Sequence, residues 1–174
     1  MVFSPRVLVV NQQKNVDYES DNVKDKDNLL DYNQWSCEDD SSITIQSNAI
    51  LTISDEYSNI GTYSIKATIA ENYTQYNQYI SQIYHAEPET EYVGSCAIFN
   101  PDCNVDLILL ETAKDHSQTM NLIRVPKSDN PQILLVSKTT LATVDYVEVR
   151  VRAAPTVIGQ LFYADNFKII KEII

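Results

Sequence analysis

The chain has 174 residues, a mass of 19.8 kDa, a formal charge of −11 and a pI near 4.5. That length fits one domain able to bury a core without staples, and three cysteines exclude a dense disulfide scaffold. The acidic balance excludes nucleic acid as a partner, because affinity for phosphates depends on Lys and Arg neutralising them. No run of 18 apolar residues is present, so no membrane insertion is expected. The charge is uneven: residues 1–115 carry 19 acids and 6 bases, whereas residues 116–174 carry 5 acids and 7 bases. If an anionic surface is met at all, the last third meets it.

The chain opens with "MVFSPRVLVVNQQ", which has a short apolar stretch, no small-residue cleavage site and almost no basic residues. It does not read as a secretory signal. Residues 1–14 read as an N-terminal arm or first strand, with "RVLVVN" as its strand, and a chain that opens at Met1 reads as a stand-alone product. The polar segment "ESDNVKDKDNLLDYNQW" reads as a long loop. From there period-two alternation takes over, and no segment holds a helical period over three turns. "SITIQS" and "AILTIS" are followed by "TYSIKATIA", which puts Tyr63, Ile65, Ala67 and Ile69 on one side and Thr62, Ser64, Lys66 and Thr68 on the other. "YISQIYH", "EYVGSCAIF", "VDLILLETA" and "QILLVSKTT" come next. "VDYVEVRVRAA" then separates Val147, Val149 and Val151 from Tyr146, Glu148, Arg150 and Arg152, and "QLFYADNFKII" closes the chain. Turn-like segments such as "DEYSNIG", "AEPET", "NPDCN", "KSDNPQ" and "AAPTVIG" separate these runs.

Many short strands at intervals of about ten residues predict an all-β, two-layer antiparallel sandwich, a single domain over residues 15–174. Only three glycines are present, so Asn and Asp must supply most turn positions that need positive φ. Cys96 and Cys103 flank a link short enough for a bridge, although buried free thiols are the expected state.

The order of features resembles the carbohydrate-binding modules of the family 4/9 type, jelly-roll sandwiches of the galactose-binding-like kind, over about residues 15–172. "NVDYES" resembles that family's opening strand, and "LLDYNQWS" resembles the loop that delivers a Trp into the next strand. "NIGTYSIKAT", "YISQIYHAEPETEYVGSCAIF" and "GQLFYADNFKIIKE" are similar to its later strands in the same order. The family's Trp before the penultimate strand is absent here, as is a Gly in "AEPETEY". The resemblance implies a structural Ca²⁺ held by Glu19, Asp165 and carbonyls around residues 58–62, since hard Ca²⁺ takes six to eight oxygens; the alternative is that Asp165 caps or hydrogen-bonds a loop amide and Glu19 is solvent-exposed. It also places Trp35 in the core, and Tyr63 and Tyr92 occupy strand positions that read as core as well.

Sugar binding needs rings for pyranose C–H faces and polar neighbours for hydroxyls. Candidates are Tyr146, Glu148 and Arg150 on the polar side of "VDYVEVRVRAA", with Gln82 and Tyr84 from "YISQIYH". The alternative is a solvated sheet face. "ENYTQYNQY" reads either as a Tyr-rich contact loop or as a loop with no role. No catalytic residue is assigned: His85 and His116 lie far apart, no nucleophile, zinc or phosphate-loop motif occurs, and Glu38, Asp39 and Asp40, like Glu87, Glu89 and Glu91, read as solvated charges.

The expectation is therefore a non-catalytic binding or adhesion module. One form is a surface or virion-associated protein, a decoration, fibre or tail component, whose arm either adds as a strand to a neighbouring subunit, giving a homo-oligomer, or pairs with the domain's own sheet. The other is a secreted glycan-binding module of a polysaccharide-degrading system.

Overall fold

The computed structural model describes residues 27–40, 43, 47–70, 78–154 and 157–172. The arm of residues 1–14, "NVDYES" with Glu19, most of "SITIQS" and most of "ENYTQYNQY" lie outside the described residues. Among the described residues one short helix, α1 (Tyr32–Ser36), precedes nine strands: β1 (Ile50–Ser54), β2 (Ser64–Thr68), β3 (Tyr79–His85), β4 (Glu91–Asn100), β5 (Asn104–Ala113), β6 (Gln118–Val125), β7 (Ser128–Thr139), β8 (Val144–Ala154) and β9 (Leu161–Lys171). They form a five-stranded sheet A, in the order β1-β2-β9-β4-β7, and a four-stranded sheet B, in the order β3-β8-β5-β6. Every described pairing between these strands is antiparallel. The all-β jelly-roll sandwich expected from the alternation is the architecture found.

The core lies between the sheets because one set of alternating residues on each strand is apolar. Ile65 and Ala67 of β2, Ile98 of β4, Leu134 and Val136 of β7, and Phe162, Phe167 and Ile169 of β9 line sheet A's inner side. Leu107 and Leu109 of β5 and Val147, Val149 and Val151 of β8 face them from sheet B. Gly94 lets the layers approach, since a Cβ there would lie 3.2 Å from both Leu109 and Val149. Trp35 and Tyr92 are core residues, as expected. Tyr63 is not: it is 39% exposed, because β2 begins one residue later at Ser64 and the alternation has not yet started.

Two elements escaped the sequence reading. Within the expected polar loop, Gln34 accepts the Asp31 backbone N–H at 3.1 Å and starts α1, while its amide donates to the Ile83 carbonyl at 3.0 Å and ties the helix to β3. Local side-chain hydrogen bonding of this kind can start a helical turn where no apolar period exists. The other is β6, an edge strand paired only with β5, whose residues are mostly exposed and so carry no clear alternation. Pro131 sits within β7, the edge of sheet A, where a missing N–H is tolerated. Cys37, Cys96 and Cys103 are free and buried, and burial pushes the Cys103 thiol up to about 12. Among the described residues no helix is long and apolar enough to cross a membrane.

One polar pair crosses the core. Glu111 of β5 points inward and meets Lys138 of β7 at 3.1 Å, accepting also from Thr119 Oγ1 at 3.1 Å and Leu141 N at 2.8 Å. Removing one partner of a buried pair leaves a charge uncompensated. Lys138→Met is therefore expected to lower the unfolding free energy by about 3 kcal/mol, and Glu111→Gln/Lys138→Met to lose less than half as much. Urea denaturation checks this, and equal losses in the two variants would reject the pairing argument.

Candidate functional site

Two polar constellations stand outside the core, one on the outer side of each sheet. On sheet A the closing strand breaks its own alternation. Phe162 and Ala164 point inward, as do Phe167 and Ile169, so the inward set slips by one residue across Asp165 and Asn166. The slip is a β-bulge: the pairing of β4 with β9 shifts between Ser95 and Ala97, and Asn166 adopts φ +50°. Asn tolerates that left-handed conformation.

The bulge aims the fully buried Asp165 carboxylate at the loop between β1 and β2. Its Oδ2 accepts the N–H groups of Asn59 (2.6 Å) and Ile60 (2.9 Å), and its Oδ1 accepts that of Asn166 (2.6 Å). Glu38 grips the same loop one turn on: its Oε1 accepts from Thr62 N (3.0 Å) and Tyr63 N (3.2 Å). Gly61 sits at φ +71°, a conformation that favours glycine, and a Cβ there would displace the Glu38 carboxylate, which lies 2.2 Å from that position. Glu38 is thus an anchor and not a solvated charge. The loop also presents N–H groups to Asp165 where carbonyls around residues 58–62 were expected. Desolvation, and secondarily the nearby Glu38 charge, raise the Asp165 carboxyl to about 7 against the pull of its three amides. Among the described residues no group of three His, Cys, Asp or Glu gathers into a metal-binding set. Glu19, the other expected ligand, lies outside them.

The rest of this loop lies on rings. Tyr57 packs against Phe99 (5.5 Å between centroids) and Tyr163 (6.0 Å), and Phe99 stacks on Tyr163 at 5.7 Å. Glu56 takes Lys66 at 2.8 Å and accepts the Tyr163 hydroxyl.

The outer side of sheet B is built differently. The register brings Tyr79, Arg152, Asp106 and Arg124 into one row across β3, β8, β5 and β6. Ser81, Arg150, Ile108 and Leu122 form the next row, then Ile83, Glu148, Leu110 and Met120, then His85, Tyr146, Thr112 and Gln118. Asp106 is fully buried and is held by Arg124, through Nε to Oδ1 at 2.7 Å and Nη2 to Oδ2 at 3.0 Å, and by Arg152 at 2.7 Å. Burial alone would raise its carboxyl, but the two guanidinium groups outweigh that and hold it below its ordinary value. Glu148 accepts Arg150 Nε at 2.6 Å, and the Arg150 guanidinium lies 4.0 Å from the Tyr79 ring centroid. Desolvation raises the Tyr79 hydroxyl despite Arg150 beside it. The middle of the face is buried, whereas Met120, Leu122 and Ile83 at its two margins are exposed.

Of the five proposed ligand contacts, Tyr146, Glu148 and Arg150 share this face. Gln82 and Tyr84 do not join them: opposite Val149 and Val147 in the register, they point inward, and Tyr84 meets the core ring of Tyr92 at 6.1 Å. This corrects their grouping, because alternation in "YISQIYH" gives two mixed faces and does not say which is wet. The sequence reading passed over Tyr79, Asp106, Arg124 and Arg152 as contacts. Asp106 was signalled by being the one acid inside the apolar run "VDLILL".

No family model matches the chain, and no curated protein matches it. Solved structures do. The chain is similar to a xylan-binding domain from carbohydrate-binding module family 22, at 14% identity and a TM-score of 0.62, covering 87% of this chain and 100% of that one. It is similar to a family 16 carbohydrate-binding module at 18% identity and a TM-score of 0.55, covering 74% and 98%. It is also similar to the enzymatically active domain of bacteriophage CBA120 tailspike protein 4, at 12% identity and a TM-score of 0.62, covering 84% of this chain and 22% of that one. The fold is therefore the jelly-roll sandwich of carbohydrate-binding modules.

The raised Asp165 has a consequence for stability. Its folded pKa lies above the ordinary value near 3.9, so the native state holds a proton that the unfolded chain releases between about pH 4 and 7. The contribution from this group is fully present below that window and is lost as pH rises through about 7. In chelator, wild type is expected to lose stability relative to Asp165→Asn from about pH 4 to 7 and to level off above that, measured by denaturant titration across pH. Parallel pH profiles for the two proteins would refute it.

Proposed function

We propose that the chain is a non-catalytic glycan-binding module that serves adhesion at a virion or cell surface, as a decoration, fibre or tail component. One observation carries the reading: the outer side of sheet B sets the Tyr146 ring beside the Glu148 carboxylate and the Arg150 guanidinium along one strand. Pre-positioned polar groups beside rings suit hydroxyl-rich ligands. The likeness to carbohydrate-binding modules supports the sugar class, and the likeness to a phage tailspike domain supports the surface role.

A secreted module of a polysaccharide-degrading system is the second reading, favoured by coverage of the whole of a xylan-binding domain. A glycan array followed by calorimetry decides between them. Binding to cell-surface oligosaccharides supports the first reading, binding confined to plant polysaccharides supports the second, and no binding to either rejects both. Tyr146→Ala is expected to weaken binding by about tenfold, or 1.4 kcal/mol, with an unchanged melting temperature.

Calcium is part of the same proposal. A hard cation beside Asp165 would be held by that carboxylate, by the neighbouring Glu38 and by Glu19, and would supply charge neutralisation, not chemistry. Asp165 and Glu38 are oxygen acids, but Asp165 Oδ1 and Oδ2 and Glu38 Oε1 already accept five backbone N–H groups, so a cation would have to be taken on their remaining lone pairs. Calcium, and not magnesium, is expected to raise the melting temperature and to remove the pH trend of Asp165. Identical melting in calcium and in chelator would reject the ion.

A further inference from the structure

The inference concerns which glycans the outer side of sheet B accepts, and it rests on the glycan reading above. Among the described residues, two neighbouring rows of this face carry three guanidinium groups, Arg124, Arg150 and Arg152, against one carboxylate, Asp106, with Glu148 in the following row. The face is net positive on a chain whose formal charge is −11. Its cations all come from residues 124–152, within the basic last third.

The ring chemistry points the same way. A neutral pyranose needs an open aromatic face for its C–H groups. The ring of Tyr79 is covered by the Arg150 guanidinium at 4.0 Å, a cation–π contact that fills the stacking position. The single Trp of the chain, Trp35, is buried in the core and supplies no platform. What the face offers beside Tyr79 is a planar N–H fork resting on a ring. Arg124 commits Nε and Nη2 to Asp106, so a ligand carboxylate would meet its Nη1 side. The side chain of Arg124 is 53% exposed and that of Arg150 18% exposed, so solvent reaches both, whereas Arg152 at 9% serves as the inner support of Asp106.

We propose that this face selects glycans bearing carboxylate groups, acidic sugars of the uronic- or sialic-acid kind, with Arg150 and Arg124 as the carboxylate-recognising residues. Guanidinium matches a carboxylate in plane and in spacing, which neither a hydroxyl nor an ester reproduces. Glu148 positions Arg150, and Tyr79 keeps its guanidinium flat.

The test is calorimetric titration of the full chain with oligogalacturonate and with sialyllactose, each compared with its own methyl ester, and with neutral xylohexaose and dextran sulfate. At least one acid is expected to bind about tenfold tighter than its ester, with the preference shrinking at high salt. Arg124→Gln should reduce the preference several-fold, and its fold is protected because Asp106 keeps Arg152 at 2.7 Å. Glu148→Gln/Arg150→Gln, which leaves no carboxylate stranded, should abolish it. Esters or xylohexaose binding as tightly as the acids would overturn the selectivity while leaving the glycan reading intact. Dextran sulfate binding as tightly as the sugar acids would overturn it in favour of a general polyanion surface. Absence of binding to every probe would overturn selectivity and, if the glycan array is also blank, the glycan reading with it.

Discussion

The carboxyl group of Asp165 sits in β9, a strand with partners on both sides in sheet A, and accepts the N–H groups of Asn59, Ile60 and Asn166. A buried carboxylate without donors would cost several kcal/mol, so β9 and the loop between β1 and β2 must be placed together or not at all. The bulge at Asn166 is what turns Asp165 toward that loop, and it returns Phe167 and Ile169 to the core after the slip. Asn28 fastens the chain ahead of α1 to the same strand, donating to the Phe167 carbonyl and accepting from Ile169 N. The loop and the segment ahead of α1 are thus both fastened to β9, within a few residues of each other.

The two outer sides differ. On sheet A, Tyr57 of the loop packs on Phe99 and Tyr163 of the sheet through ring contacts. On sheet B the face is organised by charge: Asp106 between two arginines, Glu148 with a third. Replacing a buried ion pair with apolar side chains is often neutral or stabilising. A network of several such groups on the side away from the core is therefore poorly explained by stability, and well explained by the need to hold guanidinium groups in fixed positions.

The fold was legible in the sequence because its strongest signal, period-two alternation, is a property of local runs. "VDYVEVRVRAA" and "YISQIYH" match β8 and β3 residue for residue. The slip in "FYADNFKII" was visible as well: apolar residues at 162 and 164, then at 167 and 169, can share one face only if a residue is extra between them. Less legible was anything that depends on partners distant in the chain. Alternation in "YISQIYH" leaves Ile and Tyr on both sides, so only pairing with Val147 and Val149 reveals that Gln82 and Tyr84 point inward. The role of Glu38 depends on a loop more than twenty residues later, and no local pattern distinguishes it from Asp39 and Asp40. β6 was hidden because an exposed edge strand needs no alternation to be stable once β5 supplies its hydrogen bonds.

The candidate site follows the same logic one level up. Tyr146, Glu148 and Arg150 were found together because they alternate within one strand, whereas Tyr79, Asp106 and Arg124 joined them through register across three others. A face assembled across strands also inherits the rigidity of the sheet, since each guanidinium is held by a carboxylate whose own strand is hydrogen-bonded on both sides. Groups fixed in this way lose little side-chain entropy when a ligand arrives. On the proposed reading, the spacing of the rows, about 7 Å along a strand, and the direction of each fork would set the selectivity of the face.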